Sequence, residues 1–167
     1  MSRKRSFAPV VDPATRLLVL GSLPGEVSLA HGQYYAHPQN HFWRLVGQLI
    51  GEPLPQLDYP ARLQTLLKHH IGLWDVVAEA RRHGSLDGSI REHTGNDVAR
   101  LAHGLPELAA IAFNGATAAK IGLKQLGAHA ERYRVILLPS SSPAYTLPFA
   151  QKLAAWSVLR EVLAAPG

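Results

Sequence analysis

Asparagine occurs three times in this chain of 167 residues, at positions 40, 96 and 114. A carboxamide carries a paired donor and acceptor, so it can bind the O=C–N–H edge of a base such as uracil or hypoxanthine with two hydrogen bonds. A rotated amide could serve the opposite order on adenine. Asn40 lies among aromatic residues, and Asn114 directly follows the apolar run AAIAF. These two asparagines are the first candidates for residues that bind a nucleobase.

Two loops of small residues each follow an apolar run, at opposite ends of the chain. RLLVL at 16–20 runs into GSLPG at 21–25, and RVILL at 134–138 runs into PSSSPA at 139–144. Their hydroxyls and backbone N–H groups, with no carboxylate, suit close binding of phosphate oxygens. Parallel strands gather their following loops at one edge of a sheet, so we expect the two loops to share a cleft.

Four apolar runs have the length and composition of buried strands, and helical spacing of apolar residues fills the gaps between them. This alternation predicts an α/β fold, a three-layer α/β/α sandwich around a central, mainly parallel four-stranded sheet. The predicted strands lie near residues 17–20, 73–77, 109–113 and 135–138.

The intervening helices have recognisable ends. The first has Pro38 in its first turn and ends at Gly51, and Asp58 is the expected N-cap of the next. Asn96 is the expected cap of a short helix that ends at Gly104. A further helix is expected over residues 116–126. The chain closes with one helix whose buried stripe comprises Phe149, Leu153, Trp156, Leu159 and Leu163.

Composition narrows the classes of protein. With 47% hydrophobic residues, residues 1–167 are expected to form a single domain, in which residues 1–6 are a disordered basic tail. The net charge of +5 favours an anionic partner, although solubility alone would also explain it. Without cysteine, disulfides and cysteine-ligated iron–sulfur clusters are excluded. No run of apolar residues predicts a membrane span or secretion signal, so a cytoplasmic protein is expected.

Nine histidines raise the question of a metal site. None has the paired spacing with a carboxylate that a zinc site requires, so we expect no metal and no cofactor. His37 is expected instead to anchor a loop through hydrogen bonds. A serine hydrolase is also not expected, because there is no G-x-S-x-G motif.

Five motifs in order resemble the uracil-DNA glycosylase superfamily, with the hypoxanthine-DNA (deoxyinosine) glycosylase branch nearest and the mismatch-specific uracil/thymine glycosylases next. The resemblance covers residues 16–160. The motifs are GSLPG at 21–25, YYAHPQNHFW at 34–43, GLWDV at 72–76, FNG at 113–115 and LPSSSPA at 138–144.

The resemblance implies a monofunctional DNA repair enzyme that flips a deaminated base, above all hypoxanthine, out of DNA and hydrolyses its N-glycosidic bond. Damaged DNA is then the partner, and the enzyme would be nucleoid-associated when bound. We expect a monomer. Two alternatives stay open: a uracil-DNA glycosylase acting on G:U or related mismatches, and a catalytically inactive DNA-binding or damage-sensing module.

The resemblance also assigns roles to residues of the expected cleft. Leu23 stands where uracil enzymes carry aspartate and mismatch-specific ones asparagine, so the resemblance points to Asn40 as the residue that handles water, with Asn114 as a second catalytic residue. Leu138 replaces the histidine that precedes Pro-Ser in the uracil enzymes. The remaining roles are base binding for Tyr35, Asp75, Ser22 and Leu23, phosphate binding for Gly21, Pro24, Gly25, Ser140, Ser141 and Ser142, and wedge insertion for Tyr145 or Leu147.

Each of these residues also has a purely structural interpretation. Asn40 could cap a helix, and Asn114 with Gly115 could form a turn between a strand and a helix. The three serines could cap a helix end, Asp75 could pair with an arginine, and Tyr35 could belong to the core. The sequence alone leaves both sets of roles open.

Overall fold

Four parallel strands form the centre of the molecule in a computed structural model, which describes residues 3–81 and 91–164. The strands of the whole fold are β1 (Arg3–Arg5), β2 (Leu17–Gly21), β3 (Ile71–Asp75), β4 (Val77–Arg81), β5 (Arg91–Gly95), β6 (Ala110–Asn114) and β7 (Arg134–Leu138). The central sheet has the order β3-β2-β6-β7, and every pair in it is parallel. The predicted four-stranded parallel sheet is confirmed.

Helices cover both faces of this sheet. They are α1 (Glu26–His31), α2 (Phe42–Ile50), α3 (Tyr59–Lys68), α4 (Val98–His103), α5 (Ala116–Leu126), α6 (Phe149–Trp156) and α7 (Leu159–Ala164), with 3-10 turns at Leu54–Gln56 and Gly127–Arg132. Asp58 caps α3 as predicted, because its carboxylate accepts from the Ala61 N–H. Gly51 ends α2 with a φ of 69°, a conformation that glycine adopts without strain.

The strands divide the interior into two cores, because successive side chains of a strand point to opposite faces. Leu17 and Val19 of β2 pack with α2, α6 and α7 on one face. Leu18 and Leu20 pack with α4 and α5 on the other. The three-layer arrangement therefore follows from the fully apolar β2, which is buried on both sides.

A second, antiparallel sheet of order β1-β4-β5 was not predicted. The run near 73–77 is two strands, since the chain leaves the central sheet at Val76 and enters β4. Residues 3–5, expected in a disordered basic tail, instead form β1. Its backbone pairs with β4, and Arg5 lies 3.2 Å from Glu79 while Lys4 pairs with Glu26. These partners are distant in sequence, so no local pattern indicates them.

Three helix boundaries also differ from expectation. The helix after Pro38 begins only at Phe42, because Pro38 lies in a preceding turn. Asp97 rather than Asn96 caps α4, through a bond from the Arg100 N–H. The final helix breaks after Trp156 into α6 and α7, although the apolar spacing continues across the break. Within the described ranges, no helix is long and apolar enough to span a bilayer.

Gly122 lets α5 lie directly on the sheet, and we expect Gly122→Ala to destabilise the fold. An added Cβ would overlap the Phe113 ring and lie 2.9 Å from Cγ1 of Val76. Overpacking of this kind lowers the free energy of unfolding by about 1–3 kcal/mol, measurable by urea denaturation. Gly104→Ala is the control, since its Cβ would meet no atom closer than 3.5 Å. Equal losses in the two variants would contradict the close packing of α5.

Candidate active site

The carboxyl ends of all four central strands open into one cleft of about 490 Å³, which we call the strand-end cleft. The first loop (residues 21–25) follows β2, Asp75 ends β3, Asn114 ends β6, and the serine loop (residues 139–144) follows β7. The segment before α2 supplies Tyr35, His37 and Asn40 from the side. Every predicted site residue except Leu147 lines this cleft.

Asn114 binds Ser141 through both ends of its carboxamide. Its Oδ1 accepts from the backbone N–H of Ser141 and its Nδ2 donates to the Ser141 hydroxyl, both at 2.9 Å. The Ser141 carbonyl accepts from the His41 N–H at 3.0 Å. Ser141 is consequently 1% exposed, so its hydroxyl lies inside the loop and is not presented to the surface. Asn114 positions the serine loop as well as lining the cleft.

Ser140 and Ser142 are oriented differently from Ser141 and remain partly exposed. Each hydroxyl oxygen accepts from the backbone N–H two residues further on, Ser142 for Ser140 and Ala144 for Ser142, at 3.1 Å. A hydroxyl that accepts in this way still has its own proton to donate. These two serines can therefore donate outward to an anion from fixed positions.

Asn40 is oriented by the start of α2. Its Oδ1 accepts from the Phe42 N–H at 2.9 Å, so it binds the first amide of α2 from the position before the N-cap, which is His41. The same bond identifies Oδ1 as the acceptor end, and it leaves Nδ2 as the donor end of a residue that lines the cleft. His37 anchors the turn before it, since its Nδ1 accepts from Gln39 N and its carbonyl from Asn40 N.

Tyr35 presents an aromatic ring to the cleft from an uncommon backbone conformation, with φ at 54°. One face of the ring is stacked on Phe42, with a centroid distance of 4.0 Å and an angle of 14° between the planes. Only the opposite face could stack on a base.

Asp75 lies at the inner end of the cleft and is 3% exposed. A Cβ on Gly21, its neighbour across the β2–β3 pair, would lie 2.7 Å from Asp75 Oδ1 and 3.2 Å from the Tyr35 hydroxyl. Only glycine admits both groups so closely. Burial, and then the negative charge of Asp75, raise the pKa of the Tyr34 phenol, which stays protonated and donates to Ala8 O.

Sequence reasoning missed two features of the cleft. The Ser28 hydroxyl accepts from the Ala36 N–H and so connects α1 to the segment before α2 that carries Tyr35 and Asn40. Asn96 supports Asp75, because its Nδ2 donates to the Asp75 carbonyl at 2.7 Å and to the Ser6 hydroxyl. The sequence signal for Asn96 was its position directly before Asp97, the residue that caps α4. Among the described side chains, at residues 4–80 and 95–164, no group of three or more His, Asp or Glu could hold a metal ion.

The chain is similar to known proteins over most of its length. Residues 8–160 match the family model described as the uracil DNA glycosylase superfamily. The chain is similar to a hypoxanthine DNA glycosylase of Methanosarcina barkeri, with 39% identity over 155 residues covering 93% of this chain and 96% of the relative. It is also similar to one of Methanosarcina acetivorans, with 43% identity over 143 residues covering 84% and 87%.

A solved structure has the same fold. It is the solution NMR structure of a Methanosarcina acetivorans protein described as a candidate uracil DNA glycosylase. The TM-score is 0.85 at 38% sequence identity, and the match covers 98% of this chain and all of that one.

Replacing Asn114 with alanine is expected to lower the free energy of unfolding by about 1–3 kcal/mol, because the buried N–H of Ser141 would lose its acceptor. Urea denaturation of the purified variant measures this. Thr117→Ala, at the start of α5 in the same cleft, is the control and should stay within about 0.5 kcal/mol of the parent. An Asn114→Ala protein as stable as the parent would show that the bonds to Ser141 contribute nothing.

Proposed function

The chain belongs to the uracil DNA glycosylase superfamily, and we propose that it is a DNA repair N-glycosylase that removes hypoxanthine from DNA and leaves an abasic site. The main support is that residues 8–160 match this family and that two similar relatives bear the name hypoxanthine DNA glycosylase. We further propose a cytoplasmic monomer that is nucleoid-associated when bound to DNA.

The flipped base is proposed to lie between Tyr35 and the loops of the strand-end cleft. The uncovered face of Tyr35 would stack on the base, with Ser22 and Leu23 forming the opposite wall. Hypoxanthine presents a keto oxygen and an N1–H on one edge. The Asp75 carboxylate can accept from N1–H, which adenine lacks, but its charge opposes negative charge on the departing base, so its proposed role is recognition of the base and not catalysis.

The proposed reaction is hydrolysis of the bond between C1′ of the sugar and N9 of the base. That bond breaks first, its electron pair leaves with the base, and the sugar becomes an oxocarbenium-like cation. Water then adds to C1′ and loses a proton, which neutralises the departed base anion directly or through solvent, so the products are hypoxanthine and a sugar with a hydroxyl at C1′. Asn40 can orient this water but cannot deprotonate it near neutral pH, so stabilisation of the departing base supplies most of the rate.

Phosphate binding is proposed for the rims of the cleft. Gly21, Pro24 and Gly25 offer a close-fitting backbone, while Ser140 and Ser142 offer oriented hydroxyl donors. Tyr145 is 48% exposed at the end of the serine loop and is our choice for the wedge that fills the gap left by the flipped base. Leu147 is the weaker choice, because it lies outside the lining of the cleft.

End-labelled duplexes with one deoxyinosine or one deoxyuridine test the proposal. Incubation with the purified protein and a chelator, followed by alkali, should cleave the strand at inosine. Asn40→Ala should lower the single-turnover rate by about 10²-fold or more while duplex binding changes little, since it removes the water-orienting group.

Gln39→Ala is the matched control, because Gln39 is exposed and adjacent but does not line the cleft. Cleavage only at uridine would move the protein to the alternative, a mismatch-uracil glycosylase. Cleavage at neither base by a folded protein that binds DNA would favour a non-catalytic module. An Asn40→Ala protein with the parental rate would refute the catalytic role of Asn40.

Removing the outward-facing hydroxyls should weaken binding to every duplex alike. We expect Ser140→Ala and Ser142→Ala each to lower affinity about tenfold for inosine-containing and undamaged DNA, because phosphate contacts carry no base information. Fluorescence anisotropy with both duplexes measures this. Ser157→Ala, which removes a hydroxyl bonded to the Ala154 carbonyl at the end of α6, is the control and should have no effect. A loss confined to the inosine duplex would contradict the assignment to phosphate.

A further inference from the structure

Lys152 of α6 is completely buried beneath the serine loop. Its Nζ donates to the Ser142 carbonyl at 3.2 Å and lies 5.6 Å from the centre of the Tyr145 ring. The lysine thus touches both a residue proposed to bind phosphate and the proposed wedge. It does not line the strand-end cleft itself.

A second side chain of α6 holds the other end of the same loop. Trp156, four residues after Lys152 and therefore on the same helix face, donates from Nε1 to the Pro139 carbonyl at 2.9 Å. Both side chains are fully buried, and each makes one bond to a loop carbonyl. They differ in that only Lys152 carries a charge.

The buried ammonium is energetically costly in the absence of DNA. Among the side chains that the structure describes, those of residues 4–80 and 95–164, no carboxylate forms an ion pair with it. A carbonyl dipole and an aromatic face offset only part of the cost of removing a charge from water. Burial accordingly lowers the pKa of Lys152. An uncharged side chain would fill the same space at a lower free-energy cost. An anion bound close to the loop would offset the cost of burying the charge.

We propose that Lys152 is a positioning residue whose positive charge lies under the serine loop and complements a DNA phosphate bound on the loop's outer side. The inference rests on the proposed DNA-binding function. The charge acts through the Ser142 carbonyl and the Tyr145 ring, both of which it holds in place. Because a phosphate on the loop would favour the charged form of the lysine, DNA binding and protonation of Lys152 are linked.

Comparison of Lys152→Met with Trp156→Phe separates charge from anchoring, since each variant loses one bond to the loop. Affinity for an undamaged duplex is measured from 50 to 200 mM salt. In Lys152→Met the slope of log affinity against log salt should fall by about 0.5–1, so its deficit relative to the parent shrinks about two- to fourfold across this range. Trp156→Phe should keep the parental slope. A parental slope in Lys152→Met would overturn the proposal.

A measurement on the unaltered protein covers the case in which Lys152→Met does not fold. The pKa of Lys152, followed by NMR of its side chain, should rise when undamaged duplex is added. The His41 ring and the Tyr145 phenol lie near Lys152, and the Arg44 guanidinium lies over Phe149 of the same helix. Burial and the charges of Lys152 and Arg44 lower the pKa of His41.

An unchanged Lys152 pKa in saturated complex would also overturn the proposal. Excision of hypoxanthine by the same preparation reports separately on the proposed function. A protein that cleaves at inosine while Lys152 shows neither effect would leave the glycosylase intact and remove the lysine from its phosphate site.

Discussion

The structure of the cleft depends above all on the hydrogen bonds between Asn114 and Ser141. They join the ends of β6 and β7 at the point where the chain must stop being a strand and become a binding loop. With the third bond from His41, Ser141 is fixed by its amide, hydroxyl and carbonyl. The residues on either side, Ser140 and Ser142, are thereby held outward. The buried Ser141 thus fixes the conformation of a loop that is made of small residues.

In Asn40 and Asn114, the oxygen and the amino group of the carboxamide have different roles. In each, the oxygen accepts from a backbone N–H, which decides which end of the amide is the donor. The sequence left that orientation undetermined, and it is the property on which discrimination between bases depends. For Asn40 the helix start and the proposed chemistry are therefore compatible, since the bond to the Phe42 N–H also orients the N–H₂ group at the cleft.

Local patterns predicted the central sheet and the residues that gather at its edge, because an apolar strand that runs into a loop is a feature of consecutive residues. Long-range partners were beyond such patterns. Asn96 supports Asp75 from 21 residues away, and β1 pairs with β4 across more than 70 residues. The sequence signal for Lys152 was a charged residue on the same helix face as Phe149 and Trp156. The structure was needed to show that this residue contacts the serine loop.

The strand-end cleft is assembled from segments that are far apart in sequence. Its first loop spans residues 21–25, and the serine loop spans residues 139–144 and is followed by its supporting helix α6. During synthesis the two rims proposed to bind phosphate cannot meet until residues 139–156 have left the ribosome. A nascent chain that has not reached the serine loop would carry Tyr35 and Asn40 without the second rim. The topology therefore delays DNA binding until the serine loop and α6 have folded.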